Sequence, residues 1–292
     1  RVFPNMNEKD LIHLITENLS THERVDVGPG DDCAVVSVPS RFKNPKCVLK
    51  VDTIVEGVHF ESVADPKRVG RKAIGRPLSD FAAMGTLPDS ALVSLSLESP
   101  VDANWVVSFY NGLKELAEEF SIVIVGGETT SLPKGKVISV TVAGHTEENK
   151  YIPRSGAREG DAIFVTGELG GSLGGKHLDF TPRIKEGNWL RENFDIHGMM
   201  DLSDGLGSDL TTLLESSALG ADLLKSAIPI SKAAKERVRD GMSTKTPLEA
   251  SMTDGEDYEL LFTLPPSQAV KLKDSWKAVF PEVRISCIGK TS

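Results

Sequence analysis

The residues in this chain best suited to chemistry are acids, and they fall in a repeated layout. Three times an apolar, strand-like run ends in a carboxylate beside a glycine-bearing turn. The first is Val48-Leu49-Lys50-Val51-Asp52, running on to Glu56-Gly57. The second is Ile122-Val123-Ile124-Val125-Gly126-Gly127-Glu128, and the third is Met199-Met200-Asp201-Leu202-Ser203-Asp204-Gly205. Two further acidic turns, Gly30-Asp31-Asp32 and Asp254-Gly255-Glu256-Asp257, join them, and Asp80 follows Ser79 in the apolar stretch 78–84. Strand ends are rigid and can aim side chains into one crevice. Carboxylates gathered there repel one another unless cations sit between them. Oxygen ligands without a supporting Cys or His cluster suit a hard ion such as magnesium. Taken singly, each acid is better read as a turn former or helix cap. Asp209, after Ser208, is such a case at the start of a helix through Leu213 and Leu214. Layout alone therefore implies a crevice for a metal or a polar ligand.

A rival phosphate site lies at 170–176, which reads G-x-x-x-x-G-K after a strand at 162–165. Backbone amides of such a loop cradle phosphates. Here the next residue is His177, where that motif needs a Ser or Thr, and the strand ends three residues too early. The glycines at 167, 170, 171, 174 and 175 are better read as a mobile loop leading into a helix.

The elements that must position the acids are mixed α and β. Trp105, Phe109, Leu113, Leu116 and Phe120 recur at helical steps and predict a helix over 102–120, capped by Asp102. A second helix is expected over 8–19 with Asn7 as cap. Strands are expected at 48–51, 93–97, 122–125, 137–143, 162–165, 258–264 and 283–288. The polar stretch 146–158 separates two strand-rich halves and marks the expected boundary. A formal charge of -9 argues against a nucleic-acid backbone as partner, though not against anions held through metal ions. Cys33, Cys47 and Cys287 form no CxxC pair, which argues against a disulfide framework or a zinc site and fits a reducing compartment. No apolar run has membrane-spanning length and the first residues show no signal-peptide core, so a cytoplasmic location is expected.

Longer segments carry a more specific likeness. Gly30-Asp31-Asp32-Cys33-Ala34, the run from Val51 through Glu56-Gly57-Val58-His59-Phe60, Leu78-Ser79-Asp80-Phe81-Ala82-Ala83-Met84-Gly85 and Gly126-Gly127-Glu128-Thr129-Thr130 resemble thiamine-monophosphate kinases, in the same order. So do Arg154-Ser155-Gly156-Ala157, Asp201-Leu202-Ser203-Asp204-Gly205-Leu206 and Gly255-Glu256-Asp257-Tyr258-Glu259-Leu260. The parent superfamily also holds aminoimidazole ribonucleotide synthetase, selenophosphate synthetase and a hydrogenase maturation factor. The segments at His59-Phe60 and Gly255 to Tyr258 favour the kinase branch. The resemblance implies a two-domain α/β chain with mixed sheets, 1–147 binding ATP and metal and 148–292 forming a second α/β unit. The N-terminal sheets of two copies would pair into a barrel, making a homodimer. It further implies direct transfer of the γ-phosphoryl of ATP to thiamine monophosphate, assisted by several magnesium ions and without a general base. By the same resemblance Asp32, Asp52, Asp80, Glu128, Asp201 and Asp204 would ligate magnesium. Tyr110, Gly127, Glu128, Arg154 and Ser203 would contact the nucleotide, and His59 and Glu256 the thiamine substrate. From spacing alone, His59 reads as a packed core histidine beside Phe60.

Several residues depart from the family pattern. Lys50 and Val51 stand where hydroxyl residues usually help bind metal, Pro77 replaces an Asn, Glu128 replaces an Asp and Asp254 replaces a glycine. The family also continues beyond the point matching Ser292 and supplies a late aromatic substrate contact there. Lys50 lies two residues from Asp52, hence on the same strand face, and is expected to stand in for one magnesium ion. The alternatives are a sister enzyme with another small acceptor, or a non-catalytic nucleotide-binding paralogue, which Lys50 and Val51 favour.

Overall fold

The computed structural model describes residues 25–27, 31–32, 34–37, 44–98 and 102–292. The expected helix over 8–19 lies outside these residues, as do Gly30 and Cys33. Two sheets organise the chain. The first contains β1 (Val25–Val27), β2 (Ala34–Ser37), β3 (Lys46–Val55), β4 (Leu87–Glu98), β5 (Val123–Leu132) and β6 (Lys136–Thr146), in the order β1-β2-β3-β6-β4-β5. Its pairs are antiparallel except β4 with β5. The second contains β7 (Ala162–Thr166), β8 (Gly198–Asp201), β9 (Ala221–Leu223), β10 (Leu260–Leu264) and β11 (Ile285–Thr291), antiparallel in the order β8-β10-β7-β11-β9. The chain passes from one sheet to the other through the polar stretch 146–158. One buried cluster reaches across both sheets, from Val48, Ile54 and Val140 to Phe164, Met199 and Phe262.

Between the sheets runs α1 (Pro66–Ala83), which is buried along most of its length. Asp65 caps it by accepting from the Lys67 amide, and Pro66 occupies the first turn, where no amide partner is lost. Pro77 lies inside the helix, which continues through it to Ala83. Beside it packs α2 (Ala103–Glu119), capped by Asp102 as expected. The two helices approach so closely that a Cβ on Gly70 would lie 1.9 Å from the Phe109 carbonyl oxygen, and one on Gly112 would lie 1.8 Å from that of Lys67.

The first sheet has two unlike faces. On β3, Val48, Lys50, Asp52 and Ile54 face α1 and the core, while Leu49, Val51 and Thr53 point the other way and are exposed. Cross-strand pairing carries the open face through Ser139 and Ser94 to Glu128. Glu128 therefore lies mid-strand, not in the turn that the glycines before it suggest. Asp52 is likewise within β3, and the turn begins only after Val55.

The second sheet is flanked by α3 (Lys176–Asp179), α4 (Ile184–Asn193), α5 (Leu206–Glu215), α6 (Lys232–Arg239), α7 (Pro247–Thr253) and α8 (Ala269–Val279). Among the described residues no helix is long and apolar enough to cross a membrane.

Candidate functional site

Three carboxylates from distant parts of the chain meet where the sheets converge. Asp32 follows the bridge residue Asp31, Asp80 comes from the last turn of α1 and Asp201 ends β8. One oxygen from each lies within 4.8 Å of the others, and all three residues are buried. Arg154 forms an ion pair with Asp32, and its amide donates to Asp31 Oδ2 at 2.9 Å. Ser79 donates to Asp201 at 2.6 Å. Burial pushes the Asp32 carboxyl up to about 7 although the Arg154 charge opposes the rise. Burial likewise raises Asp80 well above the usual carboxylate range, against the pull of Lys50, and raises Asp201 against the Ser79 hydrogen bond. Asp32 Oδ2 is buried with no hydrogen-bond partner among the described residues. Buried carboxylate oxygens so close together, one of them unpartnered, fit a hard divalent cation as their missing partner.

Asp52 and Lys50 enter the same cleft from β3. The Lys50 Nζ lies 2.8 Å from Asp80 Oδ1 and 3.7 Å from Asp52 Oδ2. Arg76, one helical turn before Asp80 on α1, places Nη2 3.5 Å from Asp52 Oδ1. The neighbouring carboxylates hold the Lys50 ammonium above its ordinary pKa despite burial.

Ser203 and Asp204 close the far wall on the turn after β8, docked against the turn at 255–258. Glu256 donates its amide to Ser203 O at 2.7 Å and Tyr258 donates to Leu202 O at 2.8 Å. Gly255 sits at φ +70°, where a Cβ would lie 2.8 Å from Ser203 O, so this close pairing depends on glycine. Asp209, in the first turn of α5, accepts from the Asp204 amide at 2.9 Å. Asp209 is not the cap, since Gly205 holds that position and the helix begins at Leu206; its carboxylate ties back the turn before the helix instead. The resulting cleft has a volume of about 370 Å³ and contains Asp32, Lys50, Asp52, Asp80, Arg154, Asp201, Ser203 and Asp204.

His59 and Glu256 stand at its edge and also line a second cavity of about 460 Å³, walled by 57–64 and 173–178. The Nδ1 of His59 accepts from the Val55 amide at 3.1 Å, and burial together with the Arg76 charge lowers its pKa. It is half-buried, while Phe60 beside it joins the core. Lys72, fully buried on α1, lies 2.7 Å from Glu256 Oε2, 2.6 Å from His59 O and 2.8 Å from His177 Nδ1. Burial works against the Glu256 carboxylate, yet the His177 hydrogen bond and the Lys72 charge hold its pKa down at about 2.

Three residues of the expected set do not line this cleft. Tyr110 is half-buried on α2, edge-on to Phe109. Gly127 and Glu128 are exposed on β5, and Glu128 points from the sheet face opposite to Lys50 and Asp52. The glycine loop at 170–176 is no phosphate cradle. Its Gly170 amide donates to Asp257 and its Gly171 amide to Asp254, while Lys176 pairs with Glu259 at 3.0 Å.

Arg76, Lys72 and His177 were not foreseen as site residues. Lys72, Arg76 and Asp80 are spaced four apart, one stripe of a helix. That stripe becomes visible only once 66–83 is known to be helical.

Residues 30–146 match the family AIR synthase related protein, N-terminal domain. That match defines an AIR-synthase-related N-terminal domain, the part of the chain that carries β2 to β6 of the first sheet, α1 and the acids they bring to the cleft. The chain is 38% identical over 274 residues to the thiamine-monophosphate kinase of Rhodopirellula baltica, covering 92% of this chain and 85% of that protein. It is 35% identical over 308 residues to that of Haemophilus influenzae, covering 98% and 89%. A solved structure, AaThiL complexed with AMPPCP and TMP, matches with a TM-score of 0.83 at 33% identity over 98% of this chain and 90% of that one. The chain belongs to the thiamine-monophosphate kinase family.

Proposed function

We propose that this chain transfers the γ-phosphoryl group of ATP directly to the phosphate of thiamine monophosphate, releasing ADP and thiamine diphosphate. The observation that carries this reading is the buried trio Asp32, Asp80 and Asp201, which opens beside a cavity lined by His59 and Glu256. The acceptor is itself a phosphate, already anionic near neutral pH, so no general base is needed. The difficulty is holding two anions together. Magnesium held by Asp32, Asp80 and Asp201, with Asp204 nearby, would neutralise polyphosphate charge and charge on the transferring group. Arg154, anchored on Asp31 and Asp32, and Ser203 would hold the nucleotide. Glu256, kept ionised by Lys72 and His177, would draw the cationic thiamine moiety toward the second cavity, with His59 on its other side.

In this reading residues 1–147 form the ATP- and metal-binding unit and 148–292 the second α/β unit. A second copy covers the open face of the first sheet, where Val51 is 56% and Val125 61% exposed. Gly127 and Glu128 then act in nucleotide and metal binding only where that second copy brings its own cleft to the open face; Tyr110 lies on α2 against the core and not on that face. The location proposed is the cytoplasm.

The test is ADP release from ATP and magnesium with and without thiamine monophosphate. Release that depends on thiamine monophosphate is expected. Release only with another acceptor would point to a sister enzyme, and nucleotide binding without turnover to a non-catalytic paralogue.

A further inference from the structure

Asp52 differs from the other carboxylates of the cleft in what already faces it. Its Oδ2 faces the Lys50 ammonium at 3.7 Å and its Oδ1 faces the Arg76 guanidinium at 3.5 Å. Lys50 also reaches Asp80 at 2.8 Å, and Arg76 is anchored by the Thr53 carbonyl at 3.4 Å. β3 and α1 thus each supply one acid and one base, Asp52 with Lys50 and Asp80 with Arg76, and the charges alternate around the contact. Neither base is a loose surface group, since their side chains are 23% and 18% exposed. Asp32 and Asp80 hold a base on one oxygen only, Arg154 on Asp32 Oδ1 and Lys50 on Asp80 Oδ1, and Asp32 Oδ2 is buried without a hydrogen-bond partner among the described residues.

We infer that Lys50 and Arg76 are a resident cation pair that takes a metal's place at Asp52, so that divalent ions gather on the Asp32–Asp80–Asp201 side only. This deepens the proposed function and rests on its reading of the cleft as a site for polyphosphate and metal. Magnesium needs oxygen ligands at about 2.0–2.1 Å in near-octahedral array. An ion on Asp52 would have to approach two fixed positive charges and displace both from the carboxylate. A polyphosphate, in contrast, gains from those charges directly, because both bases border the same cleft. The pair also costs nothing in ion recruitment and stays in place when magnesium falls.

The experiment counts Mn²⁺ bound per subunit of the full chain in the presence of AMPPCP, by electron paramagnetic resonance of the free ion. Asp52→Asn, nearly isosteric, should leave the number unchanged, whereas Asp80→Asn should lower it by at least one. The double variant Lys50→Ser with Arg76→Val, checked for native circular dichroism and melting, should gain one ion. A lost ion in Asp52→Asn makes Asp52 a metal ligand and overturns the inference. An unchanged number in the folded double variant overturns it as well. Because turnover is never read, a chain that shows the expected ion counts but phosphorylates another acceptor would sink the proposed reaction and leave this inference standing. No Mn²⁺ bound to the wild type would overturn both.

Discussion

Asp80 carries the clearest conflict between stability and chemistry. Burial disfavours its charged form, yet its oxygen sits among those of Asp32 and Asp201. Asp80→Asn should therefore reduce turnover by roughly 100-fold or more, while the melting temperature stays within about 4 °C of the wild type. Melting and steady-state rates on the same preparation check both halves. Glu256 gives a pH signature. Its folded pKa, about 2, is below the unfolded value near 4.5. Its stabilising contribution is therefore fully present above about pH 4.5 and is lost as pH falls toward 2. Glu256→Gln should lower stability at pH 7 by an amount on the order of 1–3 kcal/mol, and the gap from wild type should close between pH 5 and pH 2 in denaturant titrations. It should also weaken use of thiamine monophosphate while sparing nucleotide binding. The acids of the cleft were legible because type and turn context mark them. Arg76 and Lys72 were not, because a lone base in a chain reads as surface until its helix is known.

At the scale of elements, the helix α1 decides the site, since it delivers Lys72, Arg76, Ser79 and Asp80 from one side. Sequence periodicity hides it. It is apolar or buried nearly all round, so no single stripe stands out, and Gly70, Gly75 and Pro77 interrupt its pattern. The helix α2 shows the contrary case, since its apolar stripe faces the core and was readable directly. The α1–α2 contact has no room for a side chain at Gly112. Gly112→Ala must push a Cβ into the Lys67 carbonyl and should cost about 3 kcal/mol, seen as a lower urea midpoint at unchanged slope. Glu128 was misplaced for a related reason. Two glycines before an acid look like a turn, but the parallel pairing with β4 keeps 126–132 extended, and a bulge between Ala91 and Leu92 shifts the register. Only that register reveals which face Glu128 occupies. The strand expected at 258–264 also begins later, at Leu260, because Tyr258 sits at φ +50° in the docked turn.

For the whole molecule, the open face of the first sheet, with Leu49, Val51, Leu92, Val123 and Val125 exposed, calls for a cover. A homodimer with an isologous interface through this face is expected at micromolar concentration in light scattering. Val51→Lys combined with Val125→Lys should shift it toward monomer, and a wild-type monomer would contradict the pairing. The strands were largely readable in the sequence, those at the centre of the second sheet as continuous apolar runs and those of the first by their alternation. What brings the sheets' acids to one point, and which face each strand turns outward, is decided by long-range packing. The most direct test of the central claim follows the phosphorus itself. With ATP, magnesium and thiamine monophosphate, ³¹P nuclear magnetic resonance should show the γ-phosphate signal of ATP lost as the terminal phosphate of thiamine diphosphate grows, one for one with ADP. Loss of ATP into inorganic phosphate, or no thiamine diphosphate at any magnesium concentration, would contradict it.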